Sequence, residues 1–581
     1  MKQYENIQLM NEDVNFDVVI ICTSTEKQAN YWQMRLESGV GTFLPKSTAV
    51  LAVHEDWDGG AGNALGTLYA YEKAVKKGKE LFSRDLGAEL LAGKISIGLY
   101  HSAGKGTRLA PLPGAENNNK PGVKLCASVK LRTGMVPITI LESVIKQTGC
   151  YAESRLGRVS VFWGDQIFIP SVSVPYTPTH HVDILCRLGP MMDEKEWTAK
   201  GLQNYGLIVK GADGEAAQVE KVDHPTAMKM LKTFGDIDKV GASLGSFSVS
   251  ATFFLCLMKE FKKELGEKKG KMDSDPHLWM PMTLDRDVYM DVMEKKKMSK
   301  ADAGKHFDRV QNMVKVFFGD PANKNLGTFG AVDIGDECSW WDYGQLKLYQ
   351  RNNLLMLEDS ADGTLMRKFF KVGESSCGLL SILGFGGEGS RVSSSSIDTG
   401  RTSIDSSSIV QSSTIQSGSI KGSIVNNVRC NKIDAEGCIL VNVTADSIKA
   451  RPGSIVYNCA TSQLDMGESA VQVGVADDNG NLTVMKSNME TDGGKVWDEK
   501  VSGNQHTFGE IYKMNGSADP VFLEGVINTI HNDARESFKI PSSDEGTDGE
   551  GNNKVWTPCT VSIISAVAVV AAASVVLLRR R

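Results

Sequence analysis

A short repeat in the last third of the chain is the feature that most restricts its fold. The segments SSIVQSST, GSIVNNVR, GCILVNVT and GSIVYNCA place four isoleucines in equivalent positions about fifteen residues apart, at Ile409, Ile424, Ile439 and Ile455. A period this short is typical of a stacked parallel β-helix, in which each coil buries its Ile and Val side chains inward only when a neighbouring coil covers it. We therefore predict left-handed β-helix repeats over residues 401–475, with an irregular β-meander as the alternative.

The region before the repeat alternates strand patterns with helix patterns. β-Branched runs at 17–24, 47–55, 94–102 and 158–165 predict buried strands, and helical periodicity lies between them. Strands that alternate with helices favour an α/β fold with a doubly wound, mostly parallel sheet, whose ligands bind at the carboxyl ends of the strands. We expect this Rossmann-like domain to span residues 1–383.

The remaining segments differ from these two regions in composition. Residues 384–400 are rich in Ser and Gly and predict a linker, residues 476–540 form a mixed extension, and the acidic stretch 541–558 predicts a flexible spacer. Residues 559–578 carry no charge and precede three arginines. About twenty helical residues reach about 30 Å, the thickness of a bilayer core. This predicts a C-terminal transmembrane helix that anchors the protein in a membrane, with the N-terminal domain facing the cytosol; a buried helix or strand is the alternative.

The net charge of the chain argues against a generic nucleic-acid binder and indicates what a phosphate-binding site must contain. The formal net charge is −6 at pH 7, so the chain lacks the basic excess of a generic nucleic-acid binder. A phosphate site must then be a local concentration of cationic side chains and backbone N–H groups. The stretch AGKGTRLAPLPGAENNNKPGVKL, which follows the strand at 94–102, meets this description.

Glycines at the start of this stretch allow the backbone to turn sharply and to approach an anion, because no Cβ obstructs it. A triphosphate needs such a mixture of backbone N–H donors and cationic side chains. The residues predicted to bind a nucleotide through this turn are Ala103, Gly104, Lys105, Gly106 and Thr107.

The pattern G-x-G-T-R-L-x-P-L followed by K-P resembles the signature of the sugar-phosphate nucleotidyltransferases, or NDP-sugar pyrophosphorylases. In that family the glycine loop holds a nucleoside triphosphate. The resemblance implies that Arg108 meets the departing pyrophosphate and that Lys120 contacts phosphate during the transfer. Here the spacing from arginine to lysine is two residues longer than in the usual pattern, and no proline precedes the lysine. Lys124 is therefore an alternative to Lys120, and we also expect it to contact the sugar phosphate.

A bound triphosphate predicts Mg²⁺ and oxygen ligands at strand ends. Asp165 ends the run RVSVFWGD, where the family places a metal-binding Asp in a strand-G-D motif. Asp333 matches the Asp of the family's D-[IV]-G motif, which precedes a helix resembling YGQLKLYQRNN. We therefore expect Asp165 and Asp333 to hold Mg²⁺, with Asp165 also serving in catalysis. Asp336 is the alternative ligand.

Two further segments extend the predicted site. The segment YGLIVKGADGEAAQVEKVDHP predicts a β-hairpin, and the resemblance implies that its Lys221 binds the sugar phosphate. The segment DGGAGNALGTLYAYEKA at 58–74 resembles one in the fucose-1-phosphate guanylyltransferase branch of the family. We expect Gly60 and Gly62 to line the nucleotide pocket, or alternatively to cap a helix.

The reaction implied by the resemblance joins a nucleoside triphosphate to a sugar 1-phosphate, giving an NDP-sugar and pyrophosphate by in-line, Mg²⁺-dependent displacement at the α-phosphorus. A sugar phosphate has a second pKa of about 6, so it is a nucleophile near neutral pH without a general base. The alternative is a non-catalytic scaffold or regulatory protein that retained the transferase fold and the β-helix. Homo-oligomerisation through the β-helix is a further expectation.

Overall fold

The computed structural model describes residues 1–199, 201–204, 206–220, 223–231, 236–373 and 391–541. The strands of the first region are β1 Val18–Thr23, β2 Ala49–His54, β3 Ile97–His101, β4 Lys124–Leu131, β5 Gly134–Thr139, β6 Arg158–Trp163, β7 Gln166–Ile169, β8 His180–Gly189, β9 Gly206–Gly211, β10 Ala216–Glu220, β11 Ile237–Ser250, β12 Gly327–Asp333 and β13 Ser339–Asp342. The strands of the second region are β14 Arg391–Ser393, β15 Ser396–Ile397, β16 Thr402–Ile404, β17 Ile409–Gln411, β18 Thr414–Ile415, β19 Gly418–Lys421, β20 Ile424–Glu436, β21 Ile439–Ala450, β22 Ile455–Met466, β23 Ala470–Ala476 and β24 Leu482–Asn488.

Helices cover the sheet of the first region and complete the second. They are α1 Lys2–Asn11, α2 Glu26–Gly39, α3 Gly62–Phe82, α4 Leu86–Leu91, α5 Leu112–Ala115, α6 Ile140–Thr148, α7 Glu194–Ala199, α8 His224–Leu231, α9 Ala251–Glu260, α10 Lys262–Glu267, α11 Met280–Thr283, α12 Arg286–Lys295, α13 Lys300–Phe317, α14 Leu346–Leu354, α15 Ala361–Phe370, α16 Phe508–Asn515 and α17 Pro520–Ser537.

The main sheet of the first region has nine strands and is mixed. The neighbours β2, β1, β3 and β6 are parallel, and every residue of β1 is buried, as expected for a strand with helices on both faces. The strand β11 pairs antiparallel with β6, β8 and β9. The prediction of a mostly parallel sheet is therefore wrong for the second half of this sheet, where among the described strands only β12 runs parallel to its partner, β8. The strands β9 and β10 form the predicted hairpin.

Side-chain caps fix where two of the flanking helices begin. The Thr25 side chain accepts a hydrogen bond from Gln28 N at the start of α2, and Thr139 forms a reciprocal capping box with Glu142 at the start of α6. The same Glu142 forms a buried ion pair with Arg35 of α2, with an Nε–Oε1 distance of 2.8 Å. Because two buried charges are paired with each other here, this contact holds α2 and α6 together on one face of the sheet.

The isoleucines of the repeat lie side by side in a stack of parallel coils. In the ladders between coils, Ile409 pairs with Ile424, Ile424 with Ile439, and Ile439 with Ile455. The strands β14 and β15 already belong to this stack, since they pair with β17 and β18. The prediction of a linker over 384–400 is therefore wrong from residue 391 onward, and residues 384–390 lie outside the described part of the chain.

The two apolar positions of each repeat face opposite ways. Val410, Val425, Leu440 and Val456 fill the interior of the coil, whereas the four isoleucines belong to the core of the first region. The expectation that the isoleucines point inward is wrong, because successive residues of a strand alternate between its two faces and the following valine or leucine occupies the interior. The isoleucine column instead docks the coil onto β4 and β5.

A column of asparagines holds the coils in register. Asn427, Asn442 and Asn458 each have a φ between 54° and 56°, a left-handed conformation that Asn tolerates better than most residues. Asn427 Nδ2 donates to Asn442 Oδ1 at 2.8 Å, and Asn442 Nδ2 donates to Asn458 Oδ1 at 2.6 Å. Asn458 Nδ2 donates to the carbonyl of Gly474 at 3.0 Å. Each coil is thereby hydrogen-bonded to the next through buried or half-buried amides.

The prediction of a C-terminal transmembrane helix is overturned. Within the described ranges, no helix combines the length and the apolar character needed to cross a membrane. Among the helices that the structure describes, the three with 18 residues or more are α3, α13 and α17, and each carries at least four charged side chains. Residues 559–578, where the helix was predicted, and the spacer from residue 542 onward lie outside the described residues. The membrane localisation that depended on this prediction is not retained.

Replacement of Asn442 tests the asparagine column. We expect Asn442→Ala to lower the free energy of unfolding by about 2–4 kcal/mol, because it loses two amide hydrogen bonds and must hold a left-handed φ with a Cβ. Asn442→Gly keeps the conformation at low cost and should lose about 1 kcal/mol less. Urea denaturation of both variants measures the difference. Equal stability of the two variants would contradict the role given to the left-handed φ.

Candidate active site

The glycine loop leaves the carboxyl end of β3 and turns back on itself. Gly104 has a φ of +128° and Gly106 a φ of +64°, both in the region where glycine is favoured. No acceptor is found within the described structure for the backbone N–H groups of residues 103–108. Successive free N–H groups in a tight bend form an anion-binding concavity. This loop is therefore suited to hold phosphate oxygens.

Lys120 links the end of this loop to the first predicted carboxylate. Its Nζ donates a hydrogen bond to Asp165 Oδ2. The stem of Lys120 also packs closely on the loop, since a Cβ added at Gly106 would lie 3.1 Å from the Lys120 Cβ. The structure thus brings together Lys120 and Asp165, the two residues that the motifs assigned to phosphate and metal.

A short antiparallel ladder between β7 and β13 carries a further carboxylate to Asp165. The strand β13 ends at Asp342, which lies opposite Gln166, the residue that follows Asp165. The backbone N–H of Tyr343 donates to the Asp165 carbonyl at 3.0 Å. Because both connections run through the backbone, the fold itself holds Asp342 beside Asp165.

The position of Gly344 shows how closely the charged groups gather. A Cβ added there would lie 2.9 Å from Asp342 Oδ1, 3.5 Å from Lys120 Nζ and 3.7 Å from Asp165 Oδ2. Burial raises the pKa of Asp342, as does the Asp165 charge, while a hydrogen bond from Gly344 N and the cations Lys120 and Arg108 lower it. Two carboxylates and two cations therefore share one small space, which glycine leaves open.

Asp333 does not take part in this cluster. Its Oδ1 accepts hydrogen bonds from Leu188 N at 3.1 Å and Gly335 N at 2.9 Å. Its strand, β12, is separated from β6, which precedes Asp165, by β11 and β8, and three strand spacings amount to roughly 14 Å. The assignment of Asp333 as the partner of Asp165 is corrected accordingly. The alternative, Asp336, is exposed and pairs with Arg187 at 3.2 Å.

The sequence contained a signal for Asp342 that the motif search overlooked. The D-[IV]-G motif of the family precedes a helix, and here α14 begins at Leu346. Asp342 and Gly344 stand directly before that helix, whereas the segment that begins at Asp333 is followed by the strand β13. An aromatic residue, Tyr343, stands where the motif has Ile or Val. Of the two aspartates, Asp342 is the one that a helix follows at once.

Of the two other lysines predicted to bind phosphate, Lys124 is described by the structure and Lys221 is not. Lys124 Nζ pairs with Glu116 Oε1 at 2.5 Å and lies 6.0 Å from the centre of the Tyr457 ring. Tyr457 of the coil also donates to Glu116 and accepts from the Lys124 backbone N–H. Lys124 thus joins the glycine-loop segment to the coil, and of the two alternatives only Lys120 contacts Asp165 among the described residues. Lys221 lies outside the described residues.

The second glycine segment makes a structural contact. Gly62 begins α3 with a φ of +74°, and a Cβ added there would lie 2.4 Å from the Met272 carbonyl oxygen. The next residue, Asn63, donates its backbone N–H to Asp273 Oδ1 at 3.1 Å. These contacts favour the helix-start alternative for Gly62. A Cβ at Gly60 would lie 3.5 Å from the half-buried carboxylate of Glu55, near the end of β2.

The C-terminal extension, in which the sequence revealed no function, covers one side of the glycine loop. A Cβ added at Gly493 would lie 2.6 Å from the Thr107 carbonyl oxygen. Lys105 Nζ lies 5.5 Å from the centre of the Tyr512 ring, and Asn118 Nδ2 donates to the Tyr512 carbonyl at 2.7 Å. The extension therefore forms part of the wall around the loop.

The residues present fit a magnesium ion that is shared with a substrate. The described residues include no cluster of three or more His, Cys, Asp or Glu that could hold a metal ion. Mg²⁺, however, is commonly bound through one or two carboxylates, with its other ligands from water and substrate phosphates. The pair Asp165 and Asp342 meets that requirement beside the phosphate loop.

Comparison with known proteins adds no family to this picture. No protein-family model matches the chain, and no curated protein matches it either. Function is therefore inferred from the geometry of the loop and the carboxylate pair, together with the resemblance of the motifs.

A pair of glycine substitutions tests the loop as an anion site. We expect Gly106→Ala to weaken the binding of pyrophosphate about ten-fold or more, because its Cβ would press on Lys120 and reshape the bend. Gly93→Ala is a matched control, since Gly93 has a φ of +65° and open space around its Cβ position. Both variants should lose about 1–2 kcal/mol of stability from the left-handed φ. Equal pyrophosphate affinity of the two variants in calorimetric titrations would contradict the assignment.

Proposed function

We propose that the chain is a nucleotidyltransferase that joins a nucleoside triphosphate to a sugar 1-phosphate and releases pyrophosphate. The observation that carries this proposal is the gathering of Lys120, Asp165 and Asp342 beside a loop with free backbone N–H groups. N–H donors, a cation and two carboxylates are what a reacting polyphosphate and its counter-ion need. The resemblance of the loop and strand-G-D motifs to the NDP-sugar pyrophosphorylases supports the same class.

In the proposed reaction, the protein aligns the reactants and balances charge. The loop N–H groups bind the triphosphate, and Lys120 offsets the negative charge that develops around the α-phosphorus. An oxygen of the sugar phosphate forms a bond to the α-phosphorus as the bond from that atom to the bridging oxygen of the β-phosphate breaks. The leaving pyrophosphate keeps that electron pair, and Arg108, exposed beside the loop, is suited to stabilise it.

Asp165 and Asp342 are the residues that would hold Mg²⁺, which would neutralise charge on the phosphate oxygens. The two carboxylates accept few other hydrogen bonds within the described structure. Asp342 accepts one hydrogen bond from Gly344 N at 2.6 Å, and Asp165 accepts from Lys120. When a triphosphate binds, Lys120 could donate its hydrogen bond to a phosphate oxygen instead of to Asp165. The Asp165 carboxylate would then be free to bind the metal.

Within this class, we propose the fucose-1-phosphate guanylyltransferase branch as the first candidate. The support for it is the resemblance of the glycine segment at 58–74, which precedes the loop. The β-helix after the transferase domain is also a feature of that branch and of several other pyrophosphorylases.

Replacement of Asp342 tests the proposed activity. The full chain is incubated with Mg²⁺, each nucleoside triphosphate and a panel of sugar 1-phosphates that includes fucose 1-phosphate, and pyrophosphate is measured. We expect turnover for at least one pair, reduced about 10²-fold or more by Asp342→Asn or Asp165→Asn, because a metal ligand is lost. Asp336→Asn removes an exposed carboxylate and should leave the rate close to that of the unmodified protein.

Two results would count against the proposal. Absence of pyrophosphate with every pair would favour the alternative of a scaffold that retained the fold. Full activity in Asp342→Asn would remove this residue from the metal site while leaving the reaction class in place.

A further inference from the structure

A cavity of about 240 Å³ lies between the strands β8 and β12 and the loop that follows β7. It is separate from the candidate active site, because neither the glycine loop nor the pair Asp165 and Asp342 lines it. Pockets for drug-sized ligands measure about 300–1,000 Å³, so this cavity suits a smaller molecule. Its charged lining residues are the carboxylates Asp183 and Asp333. Hydroxyl groups complete the polar part of the lining, and they belong to Tyr151, Ser173, Tyr176, Thr177 and Thr179.

The loop that forms one wall of the cavity is held in place by a buried asparagine of α1. Asn6 is 1% exposed, and its Nδ2 donates to the carbonyls of Pro170 and Val172, at 2.8 Å in each case. The backbone N–H of Ser171 donates to the carbonyl of Ile334, which follows β12, at 2.8 Å. These contacts fix the wall without a ligand, as is usual for small-molecule sites that are largely formed before binding.

Buried polar contacts behind the cavity orient the Tyr176 hydroxyl and balance the charge of Asp183. Arg155 Nε donates to the Tyr176 hydroxyl at 3.1 Å, and that hydroxyl donates to Asp183 Oδ2 at 3.3 Å. The same Oδ2 lies 3.0 Å from Nη2 of the buried Arg158. Because a carboxylate has about four acceptor positions, Asp183 can still accept a hydrogen bond from a ligand, although its charge is already paired.

The second carboxylate of the lining is balanced in a similar way. The Oδ1 of Asp333 accepts the two backbone hydrogen bonds described above, and its Oδ2 lies 3.9 Å from Lys239 Nζ. No residue in the described part of the chain donates a hydrogen bond to this Oδ2. An anionic ligand would therefore meet two carboxylates, and a cationic ligand would add to the charges of Arg158 and Lys239. The lining offers hydrogen-bond acceptors without an excess of either charge.

We propose that this cavity binds a small uncharged molecule with several hydroxyl groups, of the monosaccharide or cyclic-polyol class. Hydroxyls of the ligand would donate to Asp183 and to Oδ2 of Asp333, and would exchange hydrogen bonds with the hydroxyls of Ser173 and Thr177. Hydrogen bonds to charged groups contribute more to affinity than those between neutral groups, so the two carboxylates are the main determinants of binding. This site does not depend on the proposed transferase activity.

Ligand-observed NMR titration of the full chain with glucose, fucose and myo-inositol tests this site, with gluconate as the charged comparison. We expect at least one of the three uncharged probes to bind, and gluconate to bind at least about ten-fold more weakly than that probe. Asp333→Asn keeps the side-chain volume and an oxygen for the two backbone N–H groups, but places a donor where Oδ2 accepts. It should therefore weaken binding about ten-fold. Asp336→Asn is the matched control, since it removes an exposed carboxylate outside the lining and should leave the affinity unchanged.

Two further variants keep the test decisive. Tyr176→Phe removes the hydroxyl that joins Arg155 to Asp183 and should weaken binding several-fold, and it decides the question if Asp333→Asn does not fold. Arg108→Ala alters the glycine loop only and should leave this binding unchanged. The proposal is overturned if no uncharged probe binds, if gluconate binds equally well, or if the affinity is unchanged in both Asp333→Asn and Tyr176→Phe. Binding that is lost in Arg108→Ala would likewise contradict it, by assigning the probe to the glycine loop.

Discussion

The short ladder between β7 and β13 is the contact on which the candidate active site depends. These two strands form a small sheet of their own, and their paired residues are 170 to 176 positions apart in the chain. The ladder sets Asp342 opposite Gln166, so Asp165 and Asp342 are neighbours through backbone geometry. Lys120 then contacts Asp165 from the glycine loop. Three distant segments are thus held together at the carboxyl edge of β6.

The contact between the coil and the first region also stabilises the candidate active site. The isoleucine column shares one core with β4 and β5, and Tyr457 of the coil contacts both Glu116 and Lys124. Lys120 lies between Glu116 and Lys124 in the chain. The contacts of the coil with these two residues therefore restrain the segment that follows the glycine loop. The extension packs on its other side through Gly493. The coil and the C-terminal extension therefore both pack against the glycine-loop segment of the first region.

Local patterns in the sequence predicted the elements well, and long-range pairing accounts for what they missed. The β-branched runs mark β1, β2, β3 and β6, and the repeat marks the coils, because both signals are periodic and local. The roles of Asp342 and of Tyr457 arise from pairings across large sequence separations, which no local pattern encodes. The same limitation explains the isoleucine column: alternation along a strand shows that two faces are apolar, but not which face meets another domain.

Coupling between Asp165 and Asp342 is the most direct measure of the central claim that these carboxylates act as one unit. A double-mutant cycle on pyrophosphate release compares Asp165→Asn, Asp342→Asn and the double variant. The geometry predicts strong non-additivity, with the double variant no more than about ten-fold slower than the slower single variant. Rate losses that simply multiply would show that the two residues act independently, and would contradict the shared site.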